Sequence, residues 1–134
     1  MRLAIADPPR RRWTLEVPTD RESPARARWF FWSKLAEYAP NELDAAMLLL
    51  SELVTNAVRH GAESRDAPIE VALEVGSAPA VLVAVRDRGR GLLHPSVAPQ
   101  PEVDGWGLHL VEAVSARWGY DREGGTTVVW FELG

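Results

Sequence analysis

Glu52 and Asn56 stand four residues apart in the stretch SELVTNAVRHG, which otherwise reads as the end of an apolar helix. At that spacing both side chains share one helix face. An unpaired carboxylate inside a protein is costly, so a face carrying both groups is either wet or binds something. A second polar cluster, Asp87-Arg88-Gly89-Arg90-Gly91, follows the apolar run VLVAV. It puts an acid at the carboxyl end of a strand and two glycines where a ligand could touch the backbone; taken alone, the same pattern describes a turn capped by its Asp. A third, Gly105-Trp106-Gly107, precedes a helical pattern that begins near Leu108. Glycines before a helix expose free N–H groups suited to an anion, or form a hinge. Neither glycine pair is a dinucleotide fingerprint: the first continues G-x-G-x-x-H, the second G-x-G-x-x-L, and the second follows a loop instead of a strand. His60 beside Gly61 reads as a helix C-terminal cap, and neither it nor His94 has a carboxylate pair at metal-ligand spacing.

The elements that must hold these residues follow from periodicity. Trp13, Leu15 and Val17 alternate with Thr14 and Glu16, which predicts a strand near 12–17. Ser23-Pro24 predicts a helix start with Ser23 as cap and Pro24 at the first helical position, and Phe31, Leu35 and Tyr38 form the stripe behind it; the helix should end before Pro40. Asn41 is the expected cap of a second helix, with Asp44 three residues on. Its core stripe is Leu43, Met47, Leu50, Val54 and Ala57, its stop is Gly61, and Leu48 and Leu49 make its opposite side apolar too, so that both sides should be covered. Ile69 to Val75 alternates as a strand, residues 76–79 turn, and 81–85 is a more central strand. Residues 88–104 are rich in Gly and Pro without a period. The helix from Leu108 should run to about Gly119, and Gly124-Gly125 turns the chain into a closing strand TTVVWFEL. The expected fold is an α/β (α+β) two-layer sandwich, a mixed, mostly antiparallel sheet with helices on one face.

Composition narrows the function. The 134 residues fit one domain spanning 1–134, with no internal boundary, and 46% hydrophobic with 25% charged is the make-up of an ordinary globular protein. The apolar runs fall short of a membrane span, and Arg10-Arg11-Arg12 is followed by neither an apolar core nor a small-residue cleavage site, so a cytoplasmic protein without membrane contact is expected. There is no cysteine for a disulfide, zinc finger or thiol nucleophile. A net charge of -4 argues against direct nucleic-acid binding. Lys34 is the only lysine, so the P-loop motif GxxxxGK[ST] cannot be written anywhere in the chain. Trp29-Phe30-Phe31-Trp32 reads as core with one exposed edge, and an exposed aromatic pair there would suit a protein partner.

The order of the motifs is more specific than any one of them. Helical E-x-x-x-N, strand-D-x-G-x-G, G-x-G-L opening a helix and G-T entering a strand resembles the GHKL (histidine-kinase-like) ATPase superfamily over roughly residues 40–134. The short chain with its early strand and helix is most similar to the anti-sigma-factor serine/threonine kinases and small actinobacterial-type ATP-binding regulators. The resemblance implies a Bergerat-type ATP-binding fold, with ATP and Mg2+ as cofactors. It implies that Asn56 ligates Mg2+ and Glu52 is the general base on the attacking hydroxyl. Asp87 would accept a hydrogen bond from the adenine amino group, with Gly89 and Gly91 in the adenine-side motif and Thr126 in the same network. Gly105, Gly107 and the N–H groups of Leu108 and His109 would hold the phosphates, and residues 92–104 would be the lid. Implied partners are a sigma factor and a small anti-sigma-factor antagonist, with a homodimer left open. The lid departs from the pattern: LLHPSVAPQPEVD holds no Lys or Arg, only His94, while Glu102 and Asp104 add negative charge. A cationic clamp on the γ-phosphate would then have to come from Arg88, Arg90 or a partner. That leaves a non-catalytic, nucleotide-dependent switch as the main alternative to a kinase, and a detached histidine-kinase catalytic domain as a third.

Overall fold

The computed structural model describes residues 10–60, 67–88 and 106–134. Strand β1 (Arg11–Val17) leads into helix α1 (Ser23–Tyr38), a 3-10 turn (Pro40–Glu42) and helix α2 (Leu43–His60). Strands β2 (Ile69–Val75) and β3 (Val81–Asp87), helix α3 (Trp106–Val114), and strands β4 (Arg117–Glu123) and β5 (Thr126–Leu133) follow. The strands form one sheet in the order β1-β2-β3-β5-β4. All of its neighbouring pairs are antiparallel, in line with the mostly antiparallel sheet expected and without the parallel pair that a mixed sheet would add.

Strand alternation explains why the helices share one side. Val17 lies opposite Ile69, Val71 opposite Val85, and Val85 opposite Val129, so these buried residues stand in register on a single face. They merge with Phe31 and Leu35 of α1, Leu49, Leu50, Leu53 and Val54 of α2, and Leu108 and Val111 of α3 into one core. The other face presents Glu70, Glu74, Arg86 and Glu132 around Trp130. This is the expected two-layer α/β sandwich.

Local chemistry departs from expectation in four places. Ser23 is inside α1 and does not cap it; Glu22 holds the cap position and makes no side-chain capping bond. The turn before the helix is closed by Asp20, whose Oδ1 accepts from the Glu22 N–H at 3.0 Å and lies 3.2 Å from Ser23 Oγ. The buried Ser23 hydroxyl donates to the Pro18 carbonyl. Asn41 likewise does not cap α2, because it lies within the 3-10 turn that feeds Leu43. On α2, Leu49 is fully buried but Leu48 is 43% exposed, so only one of the two covers the expected second apolar side.

The fourth departure is topological. Helix α3 begins at Trp106 and stops at Val114, so Gly107 sits in its first turn, and the expected helical stretch to Gly119 is instead the edge strand β4. Gly119 has a packing reason to lack a side chain: a Cβ there would lie 2.7 Å from Cζ2 of Trp130, directly opposite in the register. Helix α3 thus carries the chain to the sheet edge, and the β4–β5 hairpin returns it beside β3. Gly124 and Gly125 make that return with φ of 60° and 81°, the left-handed pair that a two-residue hairpin turn requires. The Trp118 indole N–H donates to the Glu112 carboxylate, tying β4 to α3.

Candidate functional site

Four polar or charged side chains are buried among the described residues: Ser23, Asn56, Asp87 and Thr127. Ser23 is accounted for by its turn. The other three, from three different elements, line one recess between α2 and the sheet. Its walls are Leu53, Asn56 and Ala57 of α2, Val85 and Asp87 of β3, and Thr127 and Val129 of β5.

Each is delivered by simple periodicity. Asn56 follows Leu53 by three residues and precedes Ala57, so it faces the sheet at the edge of the α2 stripe. Asp87 is the last residue of β3 and continues the inward series Val81, Val83, Val85. Thr127 is its cross-strand partner and continues the inward series Leu133, Phe131, Val129. Asn56 is 8% exposed, Asp87 6% and Thr127 1%. Among the described residues no partner meets the Asn56 carboxamide. Arg122 of β4 donates from Nη1 to Thr127 Oγ1 at 3.2 Å, which sets a cation beside the hydroxyl. The recess has a free volume of about 10 Å³, room for about one water.

Glu52 is half-buried one turn before Asn56 on the same helix, outside the recess walls. Leu108 and His109 lie in the first turn of α3, Leu108 buried in the core and His109 half-buried. Gly107 is in the same turn. Gly89, Gly91, Gly105, Arg90, His94 and the segment 92–104 lie outside the described residues, as does Gly61, the expected stop of α2.

Thr126 is not brought to the recess. It lies on the opposite sheet face, in a separate cavity with Arg86, Asp121 and Val128. Adjacent strand residues point to opposite faces, so only one of the two threonines can share a face with Asp87, and that one is Thr127. The signal was in the sequence: counting back by twos from Leu133 through Phe131 and Val129 ends on Thr127. Arg122 carried no signal, because it comes into place only through β4 (Arg117–Glu123), which periodicity reads as helix as far as Gly119 and leaves unassigned beyond it.

Among the described residues no cluster of three His, Cys, Asp or Glu forms a metal cage, and no helix is long and apolar enough to cross a membrane. A metal held at Asn56 would take its remaining ligands from phosphate oxygens and water, as Mg2+ at nucleotide sites does.

No curated protein matches the chain. Among solved structures it is similar to the crystal structure of the RsbU and RsbW domains of Rv1364c from Mycobacterium tuberculosis, with a TM-score of 0.70 and 21% identity over 92% of this chain. The match spans 32% of that longer chain, and at this identity it speaks for the fold. The sequence model of the histidine kinase-like ATPase domain matches residues 15–133. With nearly the whole described fold inside that match, the chain belongs to the histidine kinase-like ATPase domain family.

Proposed function

We propose that this protein binds ATP with Mg2+ and acts as an anti-sigma-factor-like regulator that phosphorylates a serine or threonine of a small antagonist protein. The observation that carries the reading is the convergence of Asn56, Asp87 and Thr127 on one recess. Three buried polar groups from three elements are expensive to assemble for packing alone. The ATPase family and the order of the sequence motifs support the same assignment.

In this reading Asp87 accepts a hydrogen bond from the exocyclic amino group of adenine, which guanine lacks at that position. Thr127, rather than Thr126, supplies the hydroxyl of that network, and the recess has room for one water beside it. The Asn56 amide oxygen is a hard ligand suited to Mg2+, whose bound form neutralises phosphate charge. Glu52, one turn earlier on the same face, accepts the proton of the attacking hydroxyl. The acceptor oxygen bonds to the γ-phosphorus as the bond to the β–γ bridging oxygen breaks, and ADP leaves with that oxygen. The first-turn N–H groups of α3 at Leu108 and His109 face the phosphates.

A second reading, a non-catalytic switch in which ATP only shapes a partner surface, is favoured by one feature: residues 92–104 contain no Lys or Arg to clamp the γ-phosphate. Calorimetric titration with ATP and GTP, with and without Mg2+, tests the site common to both readings. ATP should bind, Mg2+ should tighten it, and GTP should bind at least tenfold more weakly. Equal affinity for the two nucleotides would remove the role of Asp87. Transfer of labelled phosphate to a Ser or Thr of a partner then separates the kinase from the switch.

A further inference from the structure

The largest apolar exposure on the described surface lies away from the recess, along α1. Trp29 is 84% exposed and Trp32 55%, whereas their neighbour Phe31 is fully buried and Phe30 packs edge-on against it at 4.9 Å. Trp29 is flanked by two grooves. One, of about 850 Å³, runs between Trp29, Trp32 and Met47 of α2; the other, of about 520 Å³, runs between Trp29 and Leu15 of β1. Both are lined mostly by apolar surface and share Ala25, Trp29 and Phe30. Two indoles standing in water beside grooves of this size are a costly way to end a helix face that needs no partner.

The charge around the grooves identifies what would fill them. Their ionisable lining groups are Arg26, Arg28, Lys34 and, on the acidic side, Glu16 alone. The chain as a whole carries -4, so this surface is locally basic on an acidic protein. Two of the three cations are also held in place: Arg28 Nη1 donates to Ser51 Oγ at 3.0 Å, and the Lys34 ammonium sits 4.2 Å from the Phe30 ring centroid. A second copy of this surface would bring six cations against two acids and repel. An extended strand added to the edge of β1 would leave the larger groove, on the α2 side of Trp29, unfilled. A helix with apolar residues at i, i+3, i+4 and i+7 fits an apolar groove that runs along α1 and reaches Met47 of α2, and acidic residues on its flanks match the rim.

We propose that the α1 face is a docking site for an acidic amphipathic helix of a partner protein, with Trp29 and Trp32 as its anchors and Arg26, Arg28 and Lys34 as its rim. The proposal stands on this surface alone and does not depend on the nucleotide site. Indoles are frequent binding hot spots, and rim charges act mainly on selection and association rate.

Two fluorescein-labelled synthetic helical peptides of about five turns serve as probes. They share one Leu/Ala face and carry either Glu or Lys at the remaining positions. Anisotropy titration against the intact chain should show the Glu peptide binding at least tenfold more tightly than the Lys peptide, with the preference shrinking as salt rises. Trp29→Ala should weaken the Glu peptide at least tenfold without changing the melting temperature, since the indole is almost wholly in solvent. The double variant Arg26→Glu, Lys34→Glu should reverse the preference, an outcome that general loss of structure cannot produce. Equal binding of both peptides, binding of neither, or indifference to Trp29→Ala would overturn the proposal. So would light scattering that shows a dimer dissociated by Trp29→Glu, because the face would then belong to a second copy.

Discussion

At the scale of single residues, the proposed function assigns binding and reaction to different positions. Glu52 lies outside the recess and one turn from Asn56, so Glu52→Ala should leave ATP affinity within a few-fold while phosphoryl transfer falls by roughly 10²–10⁴, the contribution typical of a general base. Asn56→Ala should weaken Mg-ATP binding and transfer together. Calorimetry alongside a single-turnover transfer assay distinguishes the two; transfer at the wild-type rate in Glu52→Ala would make another group the base. The two threonines allow a sharper comparison. Thr127→Val removes a buried hydroxyl opposite Asp87 and should weaken ATP by about 1–3 kcal/mol, the cost of leaving a buried polar partner unsatisfied. Thr126→Val, on the opposite sheet face, should leave affinity unchanged. If the effects were exchanged, the strand register around Asp87 would have to shift by one residue.

Helices and strands set how well those residues are held. The α1–sheet contact is anchored by Phe31, fully buried in the core, and Phe31→Ala should cost about 3–5 kcal/mol in a denaturant titration. Trp29→Ala on the same helix should cost well under 1 kcal/mol, the usual size for an exposed position, and a loss as large as that of Phe31→Ala would mean the indole is packed. The β4–β5 turn tests backbone conformation instead of packing. Gly125 has a φ of 81° and open space where a Cβ would be, so Gly125→Ala should cost about 1–2 kcal/mol from the left-handed backbone alone. At this scale the sequence was legible wherever one periodicity dominated. β1, β2, β3, the closing strand and the Leu50, Val54 and Ala57 part of the α2 stripe read as observed, whereas Leu43 and Met47 are only partly buried and Leu49 and Leu53 join the core instead. β4 did not read as observed, because Arg117, Gly119 and Asp121 on one face and Trp118, Tyr120 and Arg122 on the other give no apolar side. Its place is set by pairing with β5, whose Trp130 ring lies over Gly119. The cap of α1 was misread for a related reason. Ser, Asp and Thr all cap helices, and only the folded turn shows that Asp20 holds the preceding residues while Ser23 points inward.

For the molecule as a whole, the recess and the α1 grooves share no lining residue, so nucleotide and docked partner need not compete for one surface. Incubation with labelled ATP and lysate from the host should label one small protein on Ser or Thr. Label on histidine would instead favour the histidine-kinase reading, and ATP-dependent capture without label would favour the switch. Sequence alone determined the family, because the order of E-x-x-x-N, D-x-G-x-G, G-x-G-L and G-T survives without any knowledge of distances. It determined the exclusions as well, since a chain without cysteine and with one lysine cannot form a thiol site or a P-loop. It also singled out Asn56 and Asp87, two of the three buried polar residues that line the recess. Tertiary structure alone decided which threonine stands opposite Asp87, that Arg122 reaches it, and that Trp29 and Trp32 remain in water while Phe31 does not. The physical reason is the same in all three cases. Periodicity determines the side of an element on which a residue sits, but only the pairing and packing of elements distant in the chain determine what that side faces.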